Sequence, residues 1–326
     1  MFNALILEQE EKQTIASVRQ IDESQLPEGN VLIDVDYSSL NYKDGLAITG
    51  KGRVVRQFPM VPGIDLTGKV IESQDERYQA GDQVVLTGWG VGEGHWGGMA
   101  EKARLNGDWL VPLTDGFTPK QSMMIGTAGF TAMLCVQALV DTGITPESGE
   151  VLVTGASGGV GSVAVTLLAQ LGYNVVAVTG RIEKNGELLK QLGATRVIER
   201  SEFEEPAKPL EKQLWAGAVD TVGSKMLAKV LAQVDYDGAV AACGLAGGFD
   251  LPTTVMPFIL RNVKLLGIDS VMCPREKRLK AWQRLSELLP ASYFEQACTE
   301  INLEQAPEQA QAIIQGQVTG RVVIKL

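Results

Sequence analysis

The stretch "EVLVTGASGGVGSVAVTLLAQLG", residues 150–172, limits the possible folds more than any other part of the chain. A short apolar run ends in a cluster of small residues, and apolar residues at helical spacing then run to Gly172. That order predicts a strand, a glycine turn and a helix. Read alone, the turn fits three motifs. Ala156-x-Gly158-x-x-Gly161 fits a dinucleotide-binding turn with Ala in the first glycine position. Thr154-Gly155-x-x-x-Gly159-x-Gly161 fits the cofactor loop of short-chain dehydrogenases. Gly155-x-Ser157-x-Gly159 fits the nucleophile elbow of an α/β-hydrolase.

Residues elsewhere in the chain separate these readings. An elbow serine needs an acid and then a histidine later in the sequence, and the one histidine, His95, lies upstream. The short-chain reading places its loop near the N-terminus and needs a later Tyr-x-x-x-Lys. Here the loop follows residue 150, and none of the six tyrosines has Lys four positions on. The dinucleotide reading has its context, with a strand before the turn and a helix after it. Ser157, Gly158, Gly159 and Val160 then form a cradle in which a pyrophosphate meets the N–H groups of a helix start.

The next strand, "NVVAVTG", carries the nucleotide choice. Sites for NAD usually hold an acidic residue there, about 20 residues past the turn, against the ribose 2′-hydroxyl. This chain has Thr179, Gly180 and Arg181 at that place. A hydroxyl, a bare backbone and a guanidinium suit a 2′-phosphate, which a carboxylate would repel. The expected cofactor is therefore NADPH, with Lys184 and Arg196 as further cations for the same pocket.

The rest of the chain divides into two parts, as 326 residues lead one to expect. The first ~115 residues are β-rich: "VLIDVDYSSL" alternates in period two, and Gly/Pro turns follow closely. From Pro119 strands and helices alternate, the pattern of a parallel sheet covered on both faces. "REKRLKAWQRLSELL", "APEQAQAIIQG" and "GRVVIKL" form a tail expected to return to the first part. Boundaries are set at 1–118 with 271–326, and at 119–270.

Composition excludes several partners. A net charge of −10 argues against nucleic acid. No uninterrupted apolar run approaches the ~18–20 residues of a membrane span, so no membrane association is expected. "MFNALILEQEEKQ" has neither the positive flank nor the cleavage site of a signal peptide, which points to the cytoplasm. Four scattered cysteines and a single histidine offer no metal-ligand spacing.

Several further stretches carry a family likeness: "SSLNYKDGLAITG", "VPGIDLTGKV", "AGDQVV", "LTGWGVGEGHWGGMAE", "GTAGFTA" and "TTVMPFILRNVKLLGIDSV". Together with the domain order they resemble the medium-chain dehydrogenase/reductase superfamily. Within it they look like the acrylyl-CoA reductase group of the quinone-oxidoreductase branch. The resemblance implies an α/β protein with a GroES-like β-barrel catalytic domain and a doubly wound Rossmann domain. Zinc members carry Gly-His-Glu where this chain reads Pro62-Gly63-Ile64-Asp65, and the cysteine lobe is missing, so no metal is expected.

What remains is reduction of an activated carbon–carbon double bond, with hydride sent to the β-carbon of an enoyl thioester. By resemblance, Tyr42 places its hydroxyl near the nicotinamide or the substrate carbonyl. Asn41 could donate from its amide, and Asp44 orients the segment. Thr127 is expected beside the nicotinamide ring, with Leu245, Ser270 and Arg321 as further cofactor contacts. Lys51, Arg53 and Arg56 form a basic cluster suited to the phosphates of a CoA thioester. His95 is read as a loop-packing residue. "VKLLGIDS" resembles a strand that pairs across dimers, so a homodimer is expected. Two other functions fit the same residues: a quinone or general enone reductase, and a non-catalytic NADPH-binding sensor.

Overall fold

Strand Val31–Leu40 organises the first unit of the computed structural model, which describes all 326 residues. Its alternating residues bury Val31, Ile33 and Val35 on one face. Asp65–Ser73 pairs antiparallel along one edge, with two register shifts that bend the pair. The other edge is shared: Lys102–Leu105 pairs with its first half, and Arg321–Lys325 with Tyr37–Leu40. Gln83–Thr87, Leu110–Pro112 and Cys298–Asn302 complete this sheet. The expected return of the tail is thus a strand pairing made across most of the chain.

A hairpin, Phe2–Glu10 with Gln13–Ile21, packs its apolar face into a second core, which takes in Leu32 and Leu40 from the same strand. Its two-residue connection, Glu11 and Lys12, has φ of 48° and 74°. Those values give the turn a twist that matches its strands, here without glycine.

In the second unit, strands Glu150–Val153, Asn174–Thr179, Arg196–Glu199, Trp215–Asp220, Val234–Ala242 and Lys264–Gly267 form one parallel sheet. Their spatial order is third, second, first, fourth, fifth, sixth. This is the doubly wound arrangement, in which ligands bind outside the carboxyl ends of the strands. Val151–Val153, Val175–Val178 and Ala239–Ala241 are almost wholly buried, as strands covered on both faces must be.

Two boundaries differ from those read in the sequence. The first unit comprises Met1–Thr127, Ser270–Ser286 and Ala297–Leu326; the second comprises Ala128–Asp269 and Glu287–Gln296. The first change falls beside Gly126, where the helical stretch Pro119–Asp141 is broken by φ 52° and ψ −160°. The second arises because Tyr293 is fully buried, its hydroxyl 3.2 Å from Ser162 Oγ. By length and composition Pro119–Asp141 could cross a membrane. It is instead a largely buried core helix, and Phe130, Ala132, Cys135, Val136 and Leu139 have no exposed surface.

Candidate active site

The glycine turn has the geometry its sequence implies. Gly155 adopts φ 58°, and a Cβ there would meet Thr221 Oγ1 at 2.3 Å. At Gly161 a Cβ would lie 2.3 Å from Gly155 O and 2.6 Å from Ala156 Cα, so only glycine lets the helix approach the strand so closely. Gly158 differs from both, since a Cβ there would meet nothing nearer than Gly155 O at 3.3 Å. Its outer side is open. The helix Gly159–Gln170 starts there without a side-chain cap, leaving its first backbone N–H groups for an outside acceptor. An uncapped helix start beside a bare backbone fits a pyrophosphate. Ser157 is buried, its Oγ 3.2 Å from Thr179 Oγ1, and so ties the turn to the second strand.

At the end of that strand the sequence reading needs one correction. Arg196 pairs in register with Val176, near the amino end of the sheet, and its guanidinium binds Glu150 at 2.8 Å. It cannot belong to a pocket at the carboxyl ends. The cation that does lie there is Arg200. Glu199 pairs with Thr179, and the next residue brings the Arg200 guanidinium to within 3.1 Å of where a Gly180 Cβ would stand. A side chain at 180 would displace it. The available signal was positional: Arg200 is the first residue past the third strand. Lys184 and Arg181 both lie at the start of helix Ile182–Gln191, Arg181 as its N-cap. Leu245 and Ser270 stand past the carboxyl ends of the fifth and sixth strands, Leu245 exposed and Ser270 nearly buried.

In the first unit Asn41, Asp44, Ser39, Asp65, Thr127 and Arg321 form one buried polar cluster. Asn41 precedes helix Tyr42–Thr49, and its backbone N–H donates to Asp44 Oδ2 at 2.9 Å. Asp44 Oδ1 accepts from the backbone N–H groups of Gly63 and Ile64 at 3.1 and 3.0 Å. Asp44 therefore pins the helix to the segment that carries Asp65. Burial pushes its carboxyl up to about 7, with the nearby Asp65 charge adding to the shift.

The cluster changes the expected roles of two residues. The Asn41 amide donates to Asp65 Oδ2 at 2.8 Å, and its oxygen accepts from Arg321 Nη1 at 3.1 Å. It is spent inside the protein and is a positioning group rather than a donor to substrate. Arg321, 2% exposed, donates through Nε to Met124 O at 3.0 Å and through Nη2 to Ser39 Oγ at 2.9 Å. Its Nη2 also lies 3.8 Å from Asp65 Oδ2. The guanidinium neutralises a buried carboxylate and is too enclosed to meet the cofactor, which corrects its assignment. Sequence reading missed Ser39 and Asp65, because nothing local in either marks a partner more than 200 residues away.

Tyr42 stands apart from this closed set. It is 38% exposed, and its hydroxyl makes no hydrogen bond to the protein. Lys43 beside it pairs with Glu93 at 2.8 Å. Lys51, Arg53 and Arg56 are all exposed and form no ion pairs, while Arg56 N donates to Glu93 O at 2.8 Å. His95 spans Trp96 O and Glu28 O at 3.0 and 3.1 Å and packs edge-on against Trp109, a loop-packing role. Ile64 brings no metal-binding atom, and nowhere do three His, Cys, Asp or Glu side chains converge.

A doubly wound unit with an uncapped phosphate turn, in one chain with a barrel-like unit that holds a buried polar cluster, defines a chain of the medium-chain dehydrogenase/reductase class. The family profile described as "Alcohol dehydrogenase GroES-like domain" matches residues 27–115, and "Zinc-binding dehydrogenase" matches 159–287. The probable acrylyl-CoA reductase AcuI of Escherichia coli is 64% identical over 323 residues, covering 99% of each chain. The acrylyl-CoA reductase AcuI of Ruegeria pomeroyi is 54% identical over 327 residues, again 99% of each. The crystal structure of the yhdH oxidoreductase of Salmonella enterica in complex with NADP superimposes with TM-score 0.98 at 63% identity, covering 99% of both chains. The chain belongs to this superfamily, in the zinc-free branch that holds these acrylyl-CoA reductases.

Proposed function

We propose that this protein is an NADPH-dependent reductase of the activated double bond of acryloyl-CoA, with propionyl-CoA as product. The observation that carries the cofactor assignment is the pairing of an uncapped, glycine-lined helix start with a second-strand end that holds Arg200 in place of a carboxylate. Ser157, Gly158, Gly159 and Val160 would hold the pyrophosphate. Thr179, Gly180, Arg181 and Arg200 would hold the 2′-phosphate. The substrate class follows the two reductases that share at least 54% of this sequence.

When bound, NADPH supplies the hydride that reaches the β-carbon. The thioester oxygen then gains charge and needs a hydrogen-bond donor, which the unengaged Tyr42 hydroxyl is suited to provide. Asn41 and Asp44 hold the Tyr42 segment, and Thr127 lies at the nicotinamide end. The α-carbon then takes a proton, which completes the reduction. Lys51, Arg53 and Arg56 offer three unpaired cations to the phosphates of CoA on a protein of net charge −10.

The assembly is read as a homodimer. Lys264–Gly267 is an edge strand with an open side, and Phe249, Val255, Ile259 and Leu260 nearby expose large apolar surface, Phe249 to 96% and Ile259 to 70%. All four cysteines are free thiols, which supports a reducing compartment, the cytoplasm.

Loss of NADPH absorbance with acryloyl-CoA, crotonyl-CoA and a benzoquinone, repeated with NADH, tests the proposal. Acryloyl-CoA should give the highest kcat/KM, and NADPH should outperform NADH. Quinone preferred over both thioesters would replace it with the quinone-reductase reading, and no turnover of any acceptor would leave a binding protein. Arg53→Ala with Arg56→Ala should raise KM for acryloyl-CoA severalfold without changing quinone turnover.

A further inference from the structure

Asp65 receives four hydrogen bonds, distributed unevenly between its two oxygens. Ser39 Oγ, Asn41 Nδ2 and Thr127 N donate to Oδ2 at 2.6, 2.8 and 2.8 Å. Oδ1 accepts from Thr127 Oγ1 at 2.5 Å. Asp65 is fully buried and has Arg321 beside it as counter-charge. A carboxylate only accepts, so the Thr127 hydroxyl hydrogen is committed to Oδ1. Thr127 itself is partly exposed. To any further donor, the oxygen of that hydroxyl can offer only lone pairs.

We infer that Asp65 is a positioning residue that fixes Thr127 as a hydrogen-bond acceptor for the carboxamide N–H of the nicotinamide end of the cofactor. The inference rests on the assignment of Thr127 to the nicotinamide in the proposed function. It adds the polarity of that contact and the residue that sets it. The cluster is arranged so that an almost isosteric change reverses the polarity. In Asp65→Asn the amide oxygen takes the place of Oδ2, where three donors converge. The NH₂ group then falls where Oδ1 was and donates to Thr127 Oγ1. The threonine hydrogen must turn outward, and an acceptor becomes a donor.

The experiment compares NADPH with its 3-acetylpyridine analogue, whose acetyl group keeps the C=O and lacks the N–H. Dissociation constants are read from quenching of tryptophan fluorescence in the substrate-free protein, so turnover does not enter. The unchanged protein should bind NADPH about tenfold more tightly than the analogue, the worth of one satisfied hydrogen bond against a mismatch. In Asp65→Asn the ratio should fall to about one or invert, because the outward hydrogen now suits a carbonyl. Thr127→Val, which lacks the hydroxyl and leaves Asp65 in place, should bind the two cofactors alike and serves if Asp65→Asn does not fold.

A ratio unchanged in Asp65→Asn but lost in Thr127→Val would overturn the polarity argument and leave Thr127 at the nicotinamide. A ratio unchanged in Thr127→Val would remove Thr127 from the nicotinamide altogether, and the inference with it.

Discussion

The glycine turn of the second unit and the polar cluster of the first handle backbone and side-chain donors in opposite ways. Around Gly158 the chain leaves N–H groups unpaired and strips away the side chains that would shield them. Around Asp65 the hydroxyls, amides and guanidinium converge on one another, and little is left for a ligand. The first region is a site because it is unfinished. The second serves function through what it holds still, and Tyr42 is the neighbouring side chain left with an unengaged donor. Recognition of an anion needs available dipoles, whereas orientation of a reacting group needs fixed ones.

Five substitutions break or sharpen this contrast, and the largest effect is expected in the closed region. Arg321→Met leaves the Asp65 carboxylate buried without its counter-charge. Breaking a buried pair in this way costs about 3–5 kcal/mol, so urea unfolding should show a stability loss of that size. A loss under ~1 kcal/mol would mean that hydrogen bonds alone sustain the cluster.

The two glycines of the open region come next and should behave differently from each other. Gly161→Ala drives a Cβ into the Gly155 carbonyl, so stability should fall by about 1–3 kcal/mol and NADPH binding should weaken with it. Gly158→Ala meets only the milder contact with Gly155 O at 3.3 Å, so it should lower the melting temperature less than Gly161→Ala while still weakening NADPH binding. Equal melting shifts in the two variants would contradict the assignment of Gly158 to the ligand side.

The smallest effects separate two arginines four residues apart. Arg200→Leu should cut the preference for NADPH over NADH by about tenfold or more, as loss of a charge-assisted contact requires. Arg196→Leu removes an exposed pair with Glu150, worth under ~1 kcal/mol, and should not alter the preference. If Arg196→Leu changes the nucleotide preference and Arg200→Leu does not, the register argument is wrong.

The same contrast governs what could be read from the sequence. The glycine turn was legible because its causes are local: spacing, small residues, and a strand and helix on either side. The nucleotide choice was legible at Thr179–Arg181 for the same reason. Choosing Arg196 over Arg200 failed because the end of the third strand is fixed by its pairing with the second, which spacing alone does not reveal. The cluster was half legible. Asn41–Asp44 stood out through family resemblance, yet Ser39 and Asp65, which lie in stretches of that same resemblance, were given no role. Arg321, near the C-terminus, was a candidate contact for the cofactor or the substrate, and its burial, which sequence does not reveal, removes it from the cofactor. The helical break at Gly126 was likewise hidden, since the surrounding residues keep a helical pattern. A Cβ there would stand 2.5 Å from both Arg321 Nη2 and Asp65 Oδ2, so the absent side chain makes room for the cluster.

Arg321 reaches Ser39 across 282 residues of sequence. During synthesis at roughly 5–20 residues per second, the strand that carries Asp65 leaves the ribosome some tens of seconds before its guanidinium partner exists. Until then the nascent barrel must leave that carboxylate in water, while the parallel sheet draws entirely on the unbroken run Ala128–Asp269. The order of assembly should therefore run against the order of translation. The nucleotide-binding unit sets first, and the unit begun by the N-terminus closes last.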